Sequence, residues 1–204
     1  MTQGTVESDL ALLCAKAKEL GAAAAVSLAA RDIVVDERVR LKCLVPCCVD
    51  YGTLMCPPNV MPISEFREIL ARYHHAILIQ IEIPFTQEDV QTGSDKTRLA
   101  DLFQTKEYEK RWRSLLFPRL YDILEALEAA AFGLGYRFAA ALGASRCYVC
   151  EECSRRGPCR VPFRGRPSME AMGIDVVETA KRAGLPIEIP APEKPVINCL
   201  LLVD

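Results

Sequence analysis

Apolar residues along the chain fall into two spacings. Leu10, Leu13, Cys14 and Ala17 share one face of a helix, which predicts a first helix from Val6 to Leu20 closed by Gly21. Ala23 to Leu28 reads as a strand, and Ile33 to Asp36 as a second, short one. Phe66, Ile69, Leu70 and Tyr73 return to helical spacing, with Ser64 placed to cap a helix running to about Tyr73. Ala76 to Ile83 is almost continuously apolar, as a strand in the middle of a sheet must be. Pro84 to Asp95 turns polar and reads as a loop. Lys96 to Leu116 reads as a charged helix with Leu99, Leu102, Phe103 and Trp112 on its apolar side. Pro118 can open a further helix to about Phe132, stopped by Gly133 or Gly135. Tyr136 to Leu142 follows as a strand. Asp175 with Glu178 forms a capping box for a helix ending at Gly184, and Asn198 to Val203 closes the chain as a strand.

Two stretches carry neither spacing. They are Lys42 to Pro58 and about Gly143 to Pro167, and most of the cysteines lie in them. Each half of the chain therefore reads helix, glycine, strand, cysteine loop, proline, helix, strand. This predicts an α/β or α+β fold, with a mixed sheet layered with helices. It also suggests an internal duplication: halves 1–84 and 118–204 of a single domain over 1–204, joined by a helical insert 85–117. In such a fold the two cysteine loops lie on the same side of the sheet and near each other.

Composition narrows the class. A chain of 204 residues suits one domain, and a hydrophobic share of 50% supplies a core without crosslinks. A net charge of −2 gives no field to attract nucleic acid or a membrane surface. The first ten residues lack a basic start before an apolar run, and the longest apolar run, Ala22 to Ala30, is too short to span a bilayer. A cytoplasmic, reducing location is expected. Ten cysteines in that setting point to metal rather than disulfides.

The strongest chemical signal is Cys147, Cys150, Cys153 and Cys159, spaced C-x2-C-x2-C-x5-C. Thiols two residues apart can curl round one face of a compact inorganic centre, and a fourth completes its ligation. Ferredoxins build four-iron clusters from a similar run, whereas zinc sites more often use two separated C-x2-C pairs. The triple spacing favours an iron–sulfur (4Fe–4S) cluster, with zinc as the alternative. The longer last gap, and Arg160 where ferredoxins have proline, depart from the ferredoxin pattern. Cys43, Cys56 and one of Cys47 or Cys48 offer further metal ligands at wider spacing. They could hold a second cluster, share one, or bind structural zinc. Cys56-Pro57 has the local form of a ferredoxin cysteine that ligates the other cluster, so a crossed arrangement with Cys159 is one option.

Lys42-Cys43, Tyr51-Gly52 and Cys56-Pro57-Pro58 together resemble an uncharacterised family of bacterial and archaeal cysteine-rich proteins predicted to bind metal. Cys147, Cys150, Cys153 and Pro158-Cys159-Arg160-Val161-Pro162 resemble the same family, as does the run from Arg166-Pro167-Ser168-Met169-Glu170 through Ala171-Met172-Gly173-Ile174-Asp175-Val176. The resemblance covers about residue 30 to the end. It implies metal binding and leaves the reaction open.

Other cysteines and histidines read more plainly. Cys14 and Cys199 lie in apolar patterns and suit core packing. His74 and His75 end a predicted helix, where a basic side chain complements the dipole. The second loop also carries Arg146, Arg155, Arg156, Arg160, Arg164 and Arg166 against Glu151 and Glu152. These suit solvated surface, charge balance for an anionic cluster, or a docking face for a redox-partner protein. No catalytic dyad, Gly-rich phosphate loop or serine elbow stands out, so catalytic residues are left unassigned. Three readings follow. One is an electron-carrying or redox-sensing protein with one or two clusters. The second is a zinc-stabilised interaction module. The third is an enzyme with an open-site cluster.

Overall fold

A computed structural model describes residues 3–45, 48–84, 106–187 and 195–204. Four strands, β1 (Ala24–Ala29), β2 (His75–Glu82), β3 (Ala140–Leu142) and β4 (Val196–Val203), form one sheet in the order β1-β2-β4-β3. The layered α/β class holds. Within it, every ladder among the described residues is antiparallel, so the sheet is not mixed in direction. The two long central strands pair along their full length, from His75 with Val203 to Glu82 with Val196.

Those central strands are buried on both faces, which explains their unbroken apolar character. Ile77, Ile79, Cys199 and Leu201 point to one side. They meet Leu13 and Ala17 of α1 (Gln3–Glu19), and Leu120, Leu124 and Leu127 of α5 (Phe117–Gly133). Leu78, Leu200 and Leu202 point to the other side. They meet Phe66 and Leu70 of α3 (Ile63–Leu70) and Ala180 of α6 (Val176–Arg182). The domain is thus helix, sheet, helix in section. As the sequence implies, Cys199 is fully buried and Cys14 packs against the first of these cores.

Two short helices remain, α2 (Arg38–Leu41) and α4 (Lys106–Arg111), with 3-10 turns at Ala30–Asp32 and Glu170–Met172. Helix α4 runs through a π-helical turn, Trp112–Leu116, directly into α5, with Pro118 in the first turn of α5. Lacking an N–H, Pro118 interrupts the ladder where the π-helical turn hands over to α5. Residues 96–105 of the expected charged helix, and 85–95 of the expected loop, lie outside the described residues. Asp175 caps α6 as its sequence implies, its Oδ1 accepting from the Glu178 N–H at 3.1 Å.

Three local expectations need correction. Ile33 to Asp36 makes no strand, only a single bridge from Val35 to Ile174, because it leaves the sheet edge for the first cysteine loop. The third strand is confined to Ala140–Leu142; Tyr136 to Ala139 still belong to the turn out of α5. His74 and His75 do not end a helix. The helix stops at Leu70, His75 begins β2, and His74 Nδ1 lies 3.1 Å from Asp204 Oδ1.

Glycine ends α1 and α5 in the same way. Gly21 and Gly135 have φ of +101° and +99°, the left-handed region that side chains resist. Gly21 N–H donates to Lys18 O and Ala22 N–H to Ala17 O; Gly135 N–H donates to Phe132 O and Tyr136 N–H to Ala131 O, all at 3.0 Å. Of the two glycines that could stop the second helix, Gly135 makes the turn.

Tyr136 then ties the two helices together, its hydroxyl donating to Asp9 Oδ2 at 2.9 Å. Burial, and then the Asp9 carboxylate, push the Tyr136 phenol up to about 12 from 10.0. A raised value means that the folded state holds the proton more tightly than the unfolded chain. The contribution is complete below about pH 10 and is lost as pH rises to about 12. Tyr136→Phe should therefore cost about 1 kcal/mol at neutral pH. Urea midpoints of the two proteins should converge as pH rises through that window; a constant gap would contradict the assignment.

Candidate metal centre

The second cysteine loop leaves β3 and is gripped from beneath by α5 and the π-helical turn. Tyr121 Oη accepts the Tyr148 N–H at 3.1 Å, and the Tyr148 ring stacks on Phe117 with centroids 3.8 Å apart. Burial first, and the neighbouring Cys147 second, raise the Tyr121 phenol well above its ordinary range. Arg113 donates to the carbonyls of Cys150 (2.9 Å) and Glu151 (2.8 Å), which sets the backbone between the cysteines. The far end of the loop is fastened to one edge of α5. Arg164 reaches Glu125 and Asp122 at 2.6 and 2.8 Å, and Arg166 reaches Glu128. Gly165 is needed for closeness: a Cβ there would stand 3.3 Å from Cys159 Sγ and 3.0 Å from Met55.

The first loop is a chain of tight turns. Cys48 N–H donates to Cys43 O, Tyr51 N–H to Cys48 O, Cys56 N–H to Thr53 O and Asn59 N–H to Cys56 O. Each cysteine is thus fixed by its own backbone bonds. Arg40 anchors the start of the loop to the other half of the chain, donating to Ala171 O at 2.9 Å and to Met61 O at 2.6 Å.

Arginines of the second loop join the two. Arg146 pairs with Asp50 at 2.7 Å and with Glu109 at 2.6 Å, and its guanidinium lies 4.3 Å over the Tyr148 ring. Arg155 donates to Tyr51 O and Val49 O at 2.9 and 3.0 Å. The loops therefore adjoin, as the repeated pattern suggests. These arginines bind the protein's own acids and carbonyls, so they are more than solvated surface.

The thiols sort by loop. Cys150 is raised by burial first, and then by Cys147, Cys159 and Cys153. Burial pushes Cys56 up to about 11, with Asp50, Cys48 and Cys43 adding to the rise and a hydrogen bond from Thr53 opposing it. Cys43 is raised by burial and then by Cys48. Cys159 is a neighbour of Cys150, and Cys56 of Cys43 and Cys48. Cys47 lies outside the described residues, so Cys48 is the member of the doublet whose place is described.

Two cavities hold these thiols. One, of about 540 Å³, is lined by Cys147, Cys150 and Cys153 with Asp50, Arg113 and Arg146. The other, of about 530 Å³, is lined by Cys43 and Cys48 with Lys42 and Glu170. Among the described residues, no three His, Cys, Asp or Glu side chains converge tightly enough to grasp a single ion. The donor chemistry suits a larger centre, with three thiols facing one polar, arginine-rimmed space and Cys159 near Cys150. Sequence reasoning passed over Glu170, Arg113 and Tyr121. Glu170 carried a signal, as an acid between apolar Met169 and Ala171. Arg113 and Tyr121 carried none, because their roles depend on where α5 passes.

The fold and these loops define a class: a layered α/β protein with two adjoining cysteine loops between its halves. The chain matches a family described as "Predicted metal-binding protein (DUF2284)" over residues 26–203, and it belongs to that family. No curated protein and no solved structure matches it. Among the described residues, no helix is long and apolar enough to cross a membrane.

Proposed function

We propose that the protein is an iron–sulfur carrier of electrons, with a four-iron cluster on the second loop and a further metal centre on the first. The observation that carries this reading is the shared environment of Cys147, Cys150, Cys153 and Cys159 in a single loop of ferredoxin-like spacing. Four thiolates on one zinc must close to about 2.3 Å from a common point. A cluster takes one thiolate at each iron and leaves the sulfurs further apart, which suits the open arrangement here. Bound clusters would supply one-electron transfer. The chain's part is to hold the thiolates and balance their charge. Arg113 and Arg146 bring positive charge to the cavity wall, which favours the reduced form.

A redox partner would meet the rim of the second loop. Arg156 and Arg160 are exposed there, and Val49 and Phe163 stand 81% and 90% exposed on the two loops. So many thiols fit a reducing compartment, the cytoplasm.

The test is an iron and acid-labile sulfide assay on protein purified without oxygen, with absorption and electron paramagnetic resonance spectra. The expected result is about four or about eight irons per chain with matching sulfide, and a brown colour that bleaches reversibly on reduction. Zinc without sulfide would overturn the reading in favour of a zinc-stabilised interaction module. A cluster that cannot be reduced and reoxidised would remove the electron-carrying role.

A further inference from the structure

Glu170 lines the first-loop cavity with the thiols Cys43 and Cys48, with Lys42 and Arg38, and with the acids Asp36 and Asp175. It opens the 3-10 turn Glu170–Met172, between Met169 (0% exposed) and Ala171 (3% exposed). Its carboxyl is held from behind by the Ser168 hydroxyl and by the backbone N–H groups of Glu170 and Ser145. Its Oε2 is nonetheless buried without a hydrogen-bond partner. A buried, desolvated carboxylate oxygen is unfavourable unless something positive meets it. Lys42 is the cation beside it on the cavity wall. Cys43, in turn, feels the charge of Glu170.

We propose that Glu170 is a carboxylate ligand of the first-loop metal centre, completing a donor set whose thiolates are Cys43, Cys48 and Cys56. Three soft thiolates with one hard oxygen, spread too widely for a single ion, suit the separate irons of a cluster, and the oxygen is the donor that exchanges most readily. The first-loop centre then has one replaceable corner, where a small anionic or sulfur-containing ligand can bind iron directly. The second-loop centre, closed by four thiolates, has none. This also explains why a turn that buries Ala171 and Met172 carries an acid: the ligand crosses from one half of the chain to the loop of the other.

The inference rests on the first loop holding a metal, and one set of variants separates the two claims. Metal and sulfide per chain, and the spectra of each centre, are measured on anaerobically loaded protein carrying Cys43→Ser, Glu170→Gln or Glu170→Cys. The second-loop spectrum serves as the check that each variant has folded. Glu170→Gln keeps the shape and the neutral hydrogen bonds. It should weaken metal retention at the first loop against a chelator by at least about tenfold, with the second-loop spectrum unchanged. Glu170→Cys should restore retention with an altered first-loop spectrum. If Cys43→Ser loses no metal, the first loop holds none and the underlying reading falls. If Cys43→Ser loses a centre while Glu170→Gln retains it with the same spectrum and chelator resistance, the ligand assignment alone is wrong.

Discussion

Cys150→Ser should strip the second-loop centre and leave the first-loop centre in place. Cys150 has Cys147, Cys153 and Cys159 as its charged neighbours, and no thiol of the first loop is among them. A serine hydroxyl is a harder donor that stays protonated at neutral pH, so it does not replace a thiolate on iron. The effect on stability should also be large. Where a structural metal holds irregular backbone, its binding supplies on the order of 10 kcal/mol to folding. Beyond Cys147, Tyr148 and Val149, which pack on the core, the second loop is held by arginine contacts. Iron and sulfide should fall by the content of one centre, and the thermal midpoint should drop sharply. Cys43→Ser should give the mirror result for the first loop. A single substitution that empties both loops would mean that the eight positions share one centre.

The second large effect falls on Arg146. Its guanidinium is 25% exposed and pairs with Asp50, itself 15% exposed, on the other loop. Arg146→Met keeps most of the stem over Tyr148 but leaves Asp50 half-buried without its cation. Removing one member of such a pair costs about 3 kcal/mol, because the remaining charge is stranded. Asp50→Asn in the same chain should recover a substantial part of that loss, since it removes the stranded charge. A double-mutant cycle in urea, run on the metal-free protein, isolates this coupling from metal binding. A loss below about 0.5 kcal/mol for Arg146→Met would class the contact with ordinary surface pairs. The same variant should raise the rate of metal loss from both loops, because Arg146 and Arg155 are what bind one to the other.

Much of the frame was legible in the sequence. The continuous apolar runs gave β2 and β4 because both strands are buried on two faces, and such strands leave no polar alternation to misread. The capping pair Asp175 and Glu178 located α6, since a cap is a local device of a few residues. Strand direction was harder. Nothing in β4 itself states that it runs against both β2 and β3; that depends on how α5 and the second loop return the chain. The short β3 was overread for a related reason. Tyr136 is apolar and buried, yet its burial comes from the turn after α5 and its bond to Asp9. The cysteines announced themselves through spacing, whereas Glu170 reaches the first-loop cavity only through folding across more than a hundred positions of chain.

The repeated frame has a consequence for how this molecule can change. Helix α1 begins at residue 3 and α5 at 117, β1 ends at 29 and β3 at 142, and α3 begins at 63 and α6 at 176, so these three landmarks recur 113 or 114 positions later, while β4 follows β2 by 121. The sheet order β1-β2-β4-β3 reads the same when the halves are exchanged. The ligands do not follow this rule. At 113 positions beyond Cys43, Cys48 and Cys56 stand Arg156, Val161 and Met169. The order of elements recurs and the spacing of the cysteines does not. Substitutions in either cysteine loop can accumulate while the sheet and helices that carry both loops stay constant.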